Sequence, residues 1–168
     1  MVSAVELTSA TLDLEDGSRN PSPITEVDDQ WSVALLADAS RTLFVAQANA
    51  AFKAAREDAI AAVGALPDGS NVGFITFDDT PAVVQDFTNV KETVQNAVLR
   101  NWKTDNVAVS CLYDAAFFAV SQLSRTPGRR ALIILTGSAN SCARLPQDVI
   151  DLANENDVQI YGIAIRGL

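Results

Sequence analysis

The 168-residue chain contains no histidine. Ser-His-Asp and Cys-His catalysis are thereby excluded, together with most catalytic zinc sites. Cysteine is scarce: Cys111 and Cys142 are too few for a disulfide framework or a structural zinc site. Basic residues number 12 against 21 acidic ones, for a net charge of −9. Nucleic-acid binding needs clustered Lys and Arg, so this balance argues against it. Basic-patch attachment to a membrane fails for the same reason. No apolar run approaches the roughly 20 residues that cross a bilayer. The N-terminal MVSAVELTSA has neither the charged start nor the apolar core of a secretory leader.

What is present fits one soluble domain. Apolar residues make up 48% and charged residues 20%, enough for a full core. Residues 1–30 form a distinct extension, in which VELTSATLDL alternates as a strand, EDGS turns, and SRNPSPITEVDDQ reads as a polar surface connection. From Trp31 onward, residues 31–168 alternate strand and helix. SVALLA and NVGFITF are apolar strands, with a helix over Phe44–Gly64 between them. PAVVQDF follows the short Asp78-Asp79-Thr80 link, which predicts an antiparallel edge strand. Helices are expected over Asn89–Arg100, capped by Thr88 or Asn89, over Cys111–Leu123, opening near Ser110, and over Pro146–Asn156. Ala131–Thr136 and Val158–Ile165 are the remaining strands. The pattern predicts an α/β fold, a doubly wound and mostly parallel sheet with helices on both faces.

Ligands of such sheets bind beyond the carboxyl ends of the strands. There the segment WSVALLADASRT delivers Asp38, followed by Ser40 and Thr42 at alternate positions. NVAVSCLYD adds Ser110 just before a helix. This oxygen-rich set suits a hard cation such as magnesium. With few anionic ligands the ion would keep much of its charge, and would accept a partner's Asp or Glu as its last ligand.

These segments resemble the von Willebrand factor type A domain family. The resemblance covers Trp31 to about Ile165. It rests on Asp38-Ala39-Ser40-Arg41-Thr42 after an apolar strand and on the segments 72–77, 110–115, 130–136 and 158–165. It implies a doubly wound sheet and a metal-ion-dependent adhesion site, with Asp38, Ser40, Thr42 and Ser110 as ligands. It also implies protein-protein adhesion without catalysis, in an extracytoplasmic or cell-surface setting. The third loop departs from the family. Where Thr-Asp-Gly is usual, this chain reads Thr136-Gly137-Ser138, so the carboxylate expected at Gly137 is lost. One unit charge pair about 4 Å apart is worth roughly 4 kcal/mol at intermediate dielectric, so the loss weakens any ion site. The family sheet also carries one more helix and strand after the segment matching 158–165. Either the domain lacks that last helix and strand, or the strand near Val5–Leu14 covers the open edge, which is the expectation favoured here.

Other readings stand beside these. Asp38–Thr42 and Ser110 would equally serve as helix N-caps. LADASRTL bears some likeness to the haloacid dehalogenase signature, although Ser40 replaces its acid-base Asp. A phosphoryl-transfer enzyme is therefore the catalytic alternative, and a metal-free scaffold the structural one. Asp78-Asp79 reads as a turn. Asp114 reads as a helix-dipole partner, or as a stand-in for the lost carboxylate. Trp31, Trp102, Tyr113 and Phe117-Phe118 read as core or its margins, with Trp102 alternatively an exposed recognition handle. Cys111 and Cys142 read as free thiols in preference to a bridge, since sequence alone does not reveal connectivity.

Overall fold

The structure is a computed structural model that describes residues 9–13, 19–23, 30–41, 48–103 and 107–165. The N-terminal segment pairs with itself. Strand β1 (Ser9–Asp13) lies antiparallel to β2 (Arg19–Pro23) in a two-stranded sheet of its own. The expected closure of the main sheet by this strand is therefore not found for residues 9–13. A partner a few residues away in sequence costs less loop-closure entropy than a distant sheet edge.

The central sheet is built from β3 (Trp31–Asp38), β4 (Asn71–Phe77), β5 (Pro81–Thr88), β6 (Arg129–Thr136) and β7 (Val158–Ala164), in the order β5-β4-β3-β6-β7. All pairings are parallel except β4 with β5, the edge hairpin expected from its short link. Helices α1 (Ala48–Ala65) and α2 (Lys91–Asn101) cover one face; α3 (Leu112–Leu123) and α4 (Pro146–Glu155) cover the other.

Strand β3 is the middle of the fold, and its near-continuous apolar sequence follows from burial on both faces. Its side chains alternate between the layers. Val33, Leu35 and Ala37 enter the core under α1 and α2, while Ala34 and Leu36 enter the core under α3. Strand β6 does the same with Ala131 and Leu135 against Leu132. By this alternation Asp38 and Thr136, the last residues of the two strands, fall on the α3 side. Strand β7 is exposed beyond Val158, and no strand pairs with its outer edge among the described residues.

Two helix starts differ from expectation. Helix α2 begins after Val90, which makes no side-chain cap; the Thr88 hydroxyl instead accepts the Val90 N–H at 3.2 Å. Helix α3 has Cys111, not Ser110, at its N-cap, again without a side-chain bond. At α4, Pro146 takes the first helical position and the Asp148 carboxylate accepts the Leu145 N–H at 3.2 Å.

Two glycines occupy the left-handed region for different reasons. Gly69 has φ 82° in an open turn, with nothing within 4 Å of an added Cβ. Gly128 has φ 75°, and a Cβ there would collide with the carbonyl oxygen of Gln30, which accepts the Arg129 N–H at 3.0 Å. Gly69→Ala is expected to cost about 1–2 kcal/mol from backbone strain alone. Gly128→Ala is expected to cost more than about 3 kcal/mol, because the clash adds to the strain. Urea unfolding of both variants checks the difference; equal losses would mean that Gln30 and Gly128 do not approach each other.

Candidate functional site

Parallel pairing brings three loops to one rim. Ala37 is opposite Leu135 in the β3–β6 register, so the next residues, Asp38 and Thr136, meet at the strand ends. The Thr136 hydroxyl donates to Asp38 Oδ2 at 2.8 Å. The Ser40 N–H donates to Asp38 Oδ1 at 2.9 Å, a tight turn closed by the carboxylate itself. On the opposite face the Trp102 indole N–H donates to the Asp38 carbonyl at 2.9 Å. Side chain and backbone of Asp38 are thus held from both layers, and the residue is fully buried.

Trp102 is fully buried, in edge-on contact with Phe52 at 5.1 Å and Phe74 at 6.4 Å. The reading of Trp102 as core is correct, and the exposed-handle alternative is not. Tyr113, Phe117 and Phe118 pack partly buried against the α3 core, and Trp31 packs partly buried against the core under α1.

The second loop is laced to its neighbours through the backbone. The Arg41 N–H donates to the Val107 carbonyl at 2.8 Å, and the Cys111 N–H to the Asp78 carbonyl at 2.7 Å. Asp78 and Asp79 form the turn expected of them, accepting the Thr80 N–H at 3.2 Å and the Thr80 hydroxyl at 3.3 Å. Ser110 sits within this lacing. Its carbonyl accepts the Ser141 N–H at 2.8 Å. Its hydroxyl is buried and has no hydrogen-bond partner among the described residues. The capping alternative for Ser110 is thereby excluded. A buried hydroxyl without a partner loses about 1–3 kcal/mol, so it calls for an acceptor, a water or an ion.

The third loop supplies hydroxyls where the carboxylate is missing. Ser138 Oγ lies 3.2 Å from Ser40 Oγ, and the Ser138 N–H donates to Thr136 Oγ1 at 3.2 Å. Gly137 is exposed. Ser138 was not among the sequence candidates. Its position two residues after a strand-end threonine, mirroring Asp38 and Ser40, was the available signal. Thr42 lies outside the described residues, so its place in the set is open to experiment.

Cys111 and Cys142 form a disulfide, with Cα atoms 5.0 Å apart and a sequence separation of 31. The free-thiol expectation is corrected. Folding carries the N-cap of α3 and the third loop to one point, a proximity that sequence separation conceals. Two weaker ties join the same elements. Asn140 accepts the Tyr113 N–H at 3.3 Å and donates to the Cys142 carbonyl at 2.7 Å. Arg144 pairs with Asp114 at 2.9 Å and stacks 4.0 Å above the Phe117 ring. One oxygen of Asp114 is engaged there by Arg144. Exposed ion pairs contribute about 0–1 kcal/mol. A disulfide closing a loop of this length contributes about 3–4 kcal/mol in the chain-entropy account. The covalent bond is thus the dominant tie between the second and third loops.

A doubly wound α/β sheet with a buried strand-end aspartate and hydroxyls from neighbouring loops defines the class. The von Willebrand factor type A domain family matches residues 32–168, and the chain belongs to that family. No curated protein matches the chain. Solved structures with a similar fold include BatB from Bacteroides thetaiotaomicron, at 14% identity and TM-score 0.67, covering 79% of this chain and 65% of that one. Proximal thread matrix protein 1 from the mussel byssus, with a zinc-occupied MIDAS motif, is 20% identical at TM-score 0.68, covering 82% and 37%. The vWF domain of the type V pili tip protein Mfa5 from Porphyromonas gingivalis is 15% identical at TM-score 0.57, covering 66% and 38%. The chain therefore spans 65% of BatB and little more than a third of the other two chains.

Thr136→Val removes the hydroxyl bonded to Asp38 while keeping the side-chain shape. It is expected to lower stability by about 1.5–3 kcal/mol, the range for hydrogen bonds to charged groups, whereas Thr136→Ser should retain most of it. Denaturant midpoints of the two variants decide; equal losses would show that the methyl group, not the hydroxyl, matters.

Proposed function

We propose that this domain is a non-catalytic protein-binding module that engages its partner at the rim carrying Asp38, Ser40 and Ser110, with Thr42 as the further expected ligand. The observation that carries the reading is the buried Ser110 hydroxyl without a protein partner, in a loop laced to Arg41 and Asp78. An oxygen atom withheld from every protein donor and acceptor is what a hard cation or its bound water requires. Asp38 also keeps accepting capacity, because its bonds among the described residues use one lone pair on each carboxylate oxygen.

Asp38, Ser40, Thr42 and Ser110 would hold magnesium or manganese, with Asp38 as the one anionic ligand. The ion, when bound, supplies an exposed positive centre for a carboxylate from a partner Asp or Glu. Single-carboxylate ligation leaves that charge largely uncompensated, favouring an acidic ligand at the cost of ion affinity. The Cys111–Cys142 bond supports an extracytoplasmic or cell-surface setting, since disulfides persist in oxidising compartments. The similar folds of a mussel byssus protein and a pilus tip protein point the same way.

Calorimetric titration with manganese tests the site. Wild type is expected to bind weakly, and Asp38→Asn and Ser110→Ala to bind less. Gly137→Asp restores a carboxylate to the third loop, at an exposed glycine that is not among those with positive φ. It should tighten binding at least about tenfold, equivalent to about 1.4 kcal/mol. No heat from any of these proteins at millimolar ion would remove the metal-dependent reading. Hydrolysis of a generic phosphate ester, abolished by Asp38→Asn, would overturn the non-catalytic one.

A further inference from the structure

We propose that the Cys111–Cys142 disulfide positions the Ser110 hydroxyl, so that a thiol reductant releases the rim and weakens ion binding while the sheet stays folded. This rests on the ion reading above and adds its regulation. The bond joins the residue directly after Ser110 to the third loop, which also carries Ser138 and Ser141. Ser110 is in turn fixed by the Ser141 N–H at 2.8 Å, so one covalent link and one hydrogen bond bracket a single peptide unit. The Asn140 bridge to Tyr113 and Cys142 is built around the same crossing.

The sheet does not depend on that crossing. Asp38 is held by Thr136, Ser40 and Trp102, none of which belongs to the bridged segments 110–111 and 140–142. Reduction therefore acts on Ser110 and leaves Asp38 in place. In the reaction a dithiol gives two electrons and two protons to the S–S bond, yielding two thiols and the oxidised cyclic disulfide of the reductant. In the oxidised protein the two bridged sulfurs and the Asp114 carboxylate lie within 4.8 Å of one another, so reduction would free two thiols beside an acid. Thiolates favour soft cations, so manganese, a hard ion, is the proper probe of the rim.

The experiment compares the oxidised protein, the protein reduced with a dithiol and freed of it without oxygen, and the double variant Cys111→Ser, Cys142→Ser. Manganese affinity and residue-level amide hydrogen exchange are measured on each. Reduced and variant proteins should bind manganese at least about tenfold more weakly. Their Cys111 and Ser141 amides should exchange faster, with β3 and β6 amides unchanged, and reoxidation should restore both properties. Equal affinity and equal exchange in all forms would overturn the proposal. Loss of protection throughout β3 and β6 would also overturn it, reducing the bond to a general staple. If the oxidised protein binds no manganese, the ion reading fails by itself; faster exchange limited to the two loops then upholds the positioning role, and unchanged exchange ends it.

Discussion

Everything at the rim depends on how Asp38 is held. A carboxylate removed from water is costly unless it is hydrogen-bonded. Here a strand-end hydroxyl from β6 and a main-chain N–H two residues on bond to the carboxylate, and an indole from beneath the sheet holds the backbone carbonyl of the same residue. Each belongs to an element that the hydrophobic core already fixes. The packing of Trp102 against Phe52 and Phe74 therefore has a polar consequence. It places a donor under the backbone of the residue on which the site is centred.

The same logic explains which parts of the molecule could be read from sequence. The order of strands and helices was legible because SVALLA and ALIILT are apolar without interruption, the mark of strands buried on both faces. The rim position of Asp38 and Thr136 followed from both ending such strands. The antiparallel edge followed from the brevity of Asp78-Asp79-Thr80. What escaped were relations between distant segments that no local pattern encodes. Trp102 reaching Asp38, and Cys111 meeting Cys142, are products of the assembled core. The N-terminal strand illustrates the opposite error. Its alternation announced a strand correctly, but a strand pattern does not name its partner, and β2 lies closer in sequence than the outer edge of β7.

Ser110 shows how a physical criterion separates two readings that sequence leaves level. A serine before a helix is ordinarily its cap, and the hydroxyl then answers a free N–H of the first turn. In this fold the cap position falls one residue later, on Cys111, and the hydroxyl is left buried and unanswered. The displacement by one residue accompanies two constraints on Cys111: its N–H is taken by the Asp78 carbonyl and its sulfur by Cys142. The bridge that fixes the N-cap is thus bound up with the feature that makes Ser110 a candidate ligand.

The missing carboxylate at Gly137 alters the balance of forces at the rim without dismantling it. Ser138 brings its hydroxyl to 3.2 Å from Ser40, and Thr136 is turned onto Asp38. Neutral oxygens thus occupy ground that a second acid would otherwise share. Two carboxylates at close range repel and need a cation to remain ionised together. One carboxylate bonded to a neutral hydroxyl meets no such repulsion. A rim already joined by protein hydrogen bonds is organised in advance, and an organised site would spend less of a partner's binding energy on ordering.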